Sequence, residues 1–166
     1  MATVNLYRTS DVSDDTSPTL AGNLDAGGFN ITNLDYIELD NEPGTDHEAQ
    51  GFVMEFTAGS QVLQGHAVVM SSDGKVDHFN ETVNKPCIGI AMTGVAADAA
   101  VKVLMWGVFR DDSYAFTTGG YLYPTESTGT LSHTKPSTAN DYVQRIGIAI
   151  SDDAILVTIN PDMLRV

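Results

Sequence analysis

The sequence holds little positive charge: eight Lys and Arg face 22 Asp and Glu, for a formal net charge of −14. A surface of that sign repels nucleic acid and anionic membranes, so neither is expected as a partner. There is a single cysteine, Cys87, which excludes an intrachain disulfide. Its place beside an apolar strand marks it as a small buried hydrophobe rather than a reactive thiol. Long apolar runs are missing too. The most apolar region, Cys87 to Phe109, is interrupted by Gly89, Gly94, Asp98 and Lys102 and is too β-branched for a membrane helix. Met1 to Ser10 has neither a basic start nor an apolar core, so a secretory signal is not expected.

Motifs that carry chemistry are equally scarce. His47, His66, His78 and His133 are scattered, and none stands at ligand spacing from another histidine or from Cys87. Asp11, Asp14 and Asp15, Asp111 and Asp112, and Asp152 and Asp153 offer oxygens, but no segment has the spaced loop of a calcium site, and aspartate is an ordinary turn former. Neither a nucleophile elbow of the Gly-x-Ser-x-Gly kind nor a phosphate-binding loop is present. Tyr114, Phe116, Tyr121 and Tyr123 alternate as core or cross-strand pairs do. No enzymatic activity, metal or cofactor is expected.

What the chain does have is an uneven distribution of charge. Residues 1–59 hold eleven acids and only Arg8, a net of −10, whereas residues 60–166 hold eleven acids and seven bases, a net of −4. Such a shift separates an arm from a domain, and 166 residues suffice for one domain with a core plus an extension. Residues 1–17 are polar. From Pro18 onward Leu20, Leu24, Phe29, Ile31, Leu34, Ile37 and Leu39 stand as isolated apolar residues among turn formers, with no helical period. Ordering each residue costs about 1–2 kcal/mol of backbone entropy, so a segment this sparse needs a partner surface. Asp40 to Gln50 reads as a linker of turn residues and charges. The expected organisation is an extended N-terminal arm and linker over 1–50 and one folded domain over 51–166.

In that domain one stretch is used twice. Ile88-Gly89-Ile90-Ala91-Met92-Thr93 recurs as Ile146-Gly147-Ile148-Ala149-Ile150-Ser151, and each copy turns into a β-branched run, Val101 to Met105 or Ile155 to Ile159. Both read as hairpins, with Ile88, Ile90 and Met92 on one face and the small Gly89 and Ala91 leaving the other bare. Gly89 and Gly147 mark either a close approach of another layer or chain, or bulges at sheet corners. Phe52, Met54 and Phe56 alternate in the first strand, and Asp73-Gly74 marks a tight hairpin turn. Short strands are expected at Tyr114 to Thr118 and at Tyr121 to Pro124, with a loop from Thr125 to Asp141. Short strands with frequent turns and no convincing helix predict an all-β chain, a single small β-sandwich or barrel domain behind the arm.

The Leu-x-x-x-Leu-Asp-x-x-Gly-Phe-x-Ile-x-Asn-Leu pattern at Leu20 to Leu34 resembles a motif frequent in structural proteins of tailed bacteriophages. The series Ala58-Gly59, Asp73-Gly74-Lys75, Gly89-Ile90-Ala91, Val101 to Val108, Thr118 to Tyr123 and Gly147-Ile148-Ala149 resembles a wider family of small viral β-domains, over about two thirds of the chain. The resemblance implies a non-enzymatic virion component, a capsid decoration (cement) protein or a fibre module, usually a homotrimer. A short chain without shaft repeats fits decoration better than a fibre. The implied partner is the major capsid protein, met on the capsid exterior after assembly in the host cytoplasm, with Leu20, Leu24, Phe29, Ile31, Leu34, Ile37 and Leu39 as the partner-binding residues. The rival is a receptor-binding module that recognises host glycans through the loops at Arg110 to Ser113 and Thr125 to Asp141.

Overall fold

Alternating apolar residues and closely spaced turns produce only strands among the described residues, which in this computed structural model are 36–39, 41, 43–125 and 128–166. The chain divides between Ile37 and Glu38 into two units; of the first, Tyr36 and Ile37 are described, and both are exposed. The second unit is a curled antiparallel sheet, so the described residues are all-β as expected. Its strands are β1 (Ala49–Thr57), β2 (Ala67–Met70), β3 (Val76–His78), β4 (Cys87–Ala91), β5 (Ala100–Arg110), β6 (Tyr121–Thr125), β7 (Thr130–Ser132), β8 (Tyr142–Val143), β9 (Gly147–Ala149), β10 (Ala154–Thr158) and β11 (Leu164–Arg165). The main sheet runs β3-β2-β4-β5-β10-β9-β6-β7, and β8 pairs separately with β11.

The eleven-residue β5 is the spine. Along one edge it carries β1, from Ala49 opposite Phe109 to Thr57 opposite Ala100. The other edge is shared: β4 pairs at Val103 and Leu104, and β10 pairs from Trp106 to Arg110. Near the fork, Gly51 of β1 faces Gly107 of β5 with φ of +148° and +132°. A Cβ on either would collide with the backbone carbonyl across the ladder, that of Trp106 or Gln50. Only glycine fits both the conformation and the space.

Neighbouring residues on the central strands feed two different apolar clusters. Ile90, Leu104, Phe109, Leu122, Ile146 and Ile155 belong to the larger one, with Phe79. Ala91, Val101 and Val103 belong to the other, with Ala58, Val62, Val68 and Val76. The middle of the sheet is thus buried on both faces, and the small-residue face expected to be bare is covered. The glycines of the repeated hairpins are where their own return strands come close. A Cβ on Gly89 would lie 2.5 Å from the carbonyl oxygen of Leu104, and one on Gly147 2.5 Å from that of Leu156. Close approach of the same chain thus accounts for Gly147, and at Gly89 it coincides with a bulge, since Val68 pairs with Gly89 and Val69 with Cys87.

The Asp73-Gly74 turn joins β2 to β3 as expected, with Gly74 at φ +81° and the Lys75 amide donating to Asp73 Oδ1 at 3.1 Å. Two expectations fail. Tyr114 to Thr118 is not a strand: Tyr114 stacks on Phe116 with centroids 4.4 Å apart, and its hydroxyl donates to the Gly65 carbonyl at 2.7 Å. These aromatics plug the larger cluster instead of joining a ladder. The expected loop 125–141 contains β7, which pairs with β6 and places Leu131 opposite Pro124. Because β6 pairs with β9 only at Tyr121 and Leu122, Pro124 has no second ladder to interrupt.

Cys87 is buried, and desolvation pushes its thiol pKa up to about 12. The buried Gln144 side chain serves it as a substitute peptide: Oε1 accepts from the Cys87 amide at 2.6 Å, while Nε2 donates to the carbonyls of Cys87 at 3.2 Å and Asn160 at 2.8 Å.

Candidate functional site

Of the residues expected to bind a partner, Leu20, Leu24, Phe29, Ile31 and Leu34 lie outside the described residues. Ile37 is described and 62% exposed; Leu39 is half-buried. Just beyond them, the segment read as a linker is held by polar contacts to the turn after β5. The Arg110 guanidinium donates to the Pro43 carbonyl at 3.0 Å, the Asp112 amide to Asp46 Oδ1 at 2.8 Å, and the Arg110 amide to the Glu48 carbonyl at 3.0 Å.

That anchoring brings Asp46, His47 and Asp111 within 4.8 Å of one another, a grouping that sequence spacing did not reveal. Its carboxylates already have work: Asp46 accepts from Asp112, and the buried Asp111 accepts from the Ser113 amide at 2.9 Å and from its hydroxyl. His47 lies 3.6 Å from Asp111 and 3.5 Å from Asp46. The arrangement is a clasp between a loop and a turn.

The two loops named for glycan recognition do come together. Asp111 and Ser113 from one and Thr130 to Thr134 from the other line a cleft of about 490 Å³, closed by Gln64, His66, Tyr114 and Phe116. Its polar groups are largely engaged within the chain. His133 Nε2 accepts from the Thr117 amide at 2.8 Å, which makes Nδ1 the donor to the Tyr121 carbonyl at 2.9 Å. His66 Nδ1 bonds the Thr128 carbonyl at 2.7 Å, and Gln64 donates to the Met92 carbonyl at 2.8 Å. Burial raises the Tyr114 pKa, in keeping with a neutral hydroxyl committed to Gly65. The cleft is built to hold loops together.

His66 and His78 are neighbours, with ring centroids 5.6 Å apart. His78 Nε2 accepts from the Leu63 amide at 2.9 Å, a role open only to the neutral ring. Desolvation first, then the proximity of His66, lowers its pKa, and Asp77 opposes them.

The exposed apolar surface lies elsewhere. In the middle of β1, Phe52 is 63% and Met54 53% exposed, and Val53 between them is also open. Across the ladder Trp106 is 45% exposed and meets the Phe52 ring at 5.8 Å. The sequence showed the alternation of Phe52, Met54 and Phe56 without showing that, among the described residues, no strand lies beyond theirs.

A sequence model of the family described as phage cement protein matches residues 47–155. The chain belongs to the phage cement protein family. Comparison with curated proteins gives no match. The cement family is structural rather than enzymatic, which makes the chain a virion structural protein associated with the capsid exterior. The cement match takes in the sheet from β1 into β10, so Phe52 and Trp106 fall within it, while the arm residues from Leu20 to Leu39 precede it.

Proposed function

We propose that this cement protein binds the outer capsid surface as a trimer and stabilises the shell, with the major capsid protein as its partner. The observation that carries the reading is the family match over a domain preceded by sparse apolar residues, of which the described Ile37 is exposed. Leu20, Leu24, Phe29, Ile31, Leu34, Ile37 and Leu39 serve as anchors that lie across neighbouring capsid subunits. Each contributes by apolar burial at about 25 cal/mol per Å². Three arms on one trimer turn later binding events into intramolecular ones, which raises avidity by about 10²–10⁴ over a single arm. Linking adjacent subunits adds the free energy of those contacts to the work of opening the shell. The acidic surface suits docking onto a basic one.

Deleting residues 1–39 tests this. The truncated chain is expected to stay folded and trimeric and to lose co-sedimentation with purified heads. Undiminished binding by the truncated chain would contradict the role of the arm, and binding to host-cell glycans instead of heads would favour the receptor-binding rival.

A further inference from the structure

A second cleft, of about 560 Å³, is lined by β6, by the β8–β11 pair and by neighbouring segments. That volume suits a small ligand. Backbone bonds fix its walls: the Ile146 amide donates to the Leu122 carbonyl at 3.0 Å, the Asn160 amide to the Arg145 carbonyl at 3.2 Å, and the Val166 amide to the Asp141 carbonyl at 2.9 Å.

Charge sets this cleft apart from the one beside Tyr114. Acids outnumber bases by 22 to eight in the chain, so a base is the scarce member of any ion pair. Lys75 pairs with Asp98 at 2.6 Å and Arg110 with Asp112 at 2.8 Å. Lys135, Arg145 and Arg165 gather in this one cleft instead, and among the described residues they make no ion pair. A single carboxylate side chain, that of Asp162, lines the cleft with them. The acids elsewhere are screened over about 8 Å at physiological salt, so an anion in the cleft meets the three bases first.

Arg145 is already oriented. Its guanidinium lies over the Tyr121 ring, 4.6 Å from the centroid, which fixes its plane and leaves its N–H edge for a planar carboxylate. Arg165 lies over Tyr142 at 5.9 Å and donates to Asn140 Oδ1 at 2.6 Å, with further N–H groups to spare.

We infer that this cleft binds an acidic saccharide, a pyranose that carries a carboxylate. Three features select that chemistry. The bases call for an anion. Asp162 accepts hydrogen bonds from hydroxyl groups and repels a ligand that offers negative charge alone. Tyr121 and Tyr123, two residues apart on β6 and so on one face, offer rings to the C–H face of a sugar, and Tyr121 is 49% exposed. An acidic peptide answers the first feature and a neutral sugar the other two; a uronic acid answers all three. The inference stands apart from the capsid contact and from the trimer.

Isothermal titration calorimetry of the full chain with trigalacturonate, maltotriose and pentaglutamate tests it. Trigalacturonate is expected to bind one to one, at least about 10-fold more tightly than either of the others, and less tightly as salt rises. R145Q is expected to weaken it by at least about 10-fold, and K135Q supplies a second reading should R145Q fail to fold by circular dichroism. D162A is expected to weaken it by about 5-fold, whereas a site that recognises charge alone would bind more tightly after that change. Failure to bind trigalacturonate, equal binding of maltotriose, equal or tighter binding of pentaglutamate, or tighter binding by D162A would each overturn the inference. So would loss of co-sedimentation with heads in R145Q, which would assign the cleft to the capsid. A chain that binds trigalacturonate and ignores heads defeats the cement role and leaves this inference intact, whereas a chain that binds heads and ignores trigalacturonate does the reverse.

Discussion

Strands β4 and β1 flank the same strand, β5, and their sequences resemble each other: Ile88-Gly89-Ile90-Ala91 on one side, Gly51-Phe52-Val53-Met54 on the other. Ile90 and Ala91 are fully buried, each in a different apolar cluster, whereas Phe52, Val53 and Met54 are exposed. Apolar content does not separate them. Position does: β4 has β2 on its far side and glycine where β5 presses against it, while β1 has no described strand beyond it. Apolar residues in the middle of β1 thus stay outside both clusters, while Ala49 and Phe56 nearer its ends pack against them.

Substitutions can break that contrast from the buried side. Gly89→Val or Gly147→Val puts a branched side chain against the return-strand carbonyl, with an expected loss of about 3 kcal/mol or more. Urea titration reads this directly, and a loss below 1 kcal/mol would refute the close approach. Phe109→Ala, in the larger cluster, is expected to cost about 3–5 kcal/mol. Gln144→Leu strands the Cys87 amide and is expected to cost about 1–3 kcal/mol by the same titration.

A subtler test uses protons. The His78 pKa is held below its ordinary 6.5, so the folded state binds fewer protons than the unfolded chain. Its contribution is fully present above pH 6.5 and is lost as pH falls through the folded pKa. Stability of the wild-type chain should therefore decline below pH 6.5 by more than that of His78→Gln, compared by thermal melts across pH. The smallest effect is expected on the β1 side. Phe52→Ser should change the stability of the domain by no more than about 0.5 kcal/mol, even though the side chain is large.

The repeated Ile-Gly-Ile-Ala hairpins, the Asp73-Gly74 turn and the all-β class were legible because they rest on local period and turn chemistry. Burial was less so. Period two suggested a bare small-residue face on β4, but neighbouring residues there enter separate clusters, a consequence of the curled sheet that only tertiary contacts create. Tyr114 to Thr118 read as a strand because aromatics alternate, although the rings of Tyr114 and Phe116 pack on the core from an irregular segment. The Asp46, His47 and Asp111 clasp joins residues more than sixty positions apart, and no spacing rule reaches that far. Exposure of Phe52 and Trp106 depends on the pairing order, in which no described strand lies beyond β1.

We propose that the sparse apolar residues from Leu20 to Leu39 make this protein adhere to the shell. Co-sedimentation with purified heads tests it most directly, comparing the full chain with one in which Phe29, Ile31 and Leu34 are replaced by serine. Saturable binding by the first and loss of binding by the second, at unchanged domain stability, is the predicted result. Equal binding by both would contradict the account.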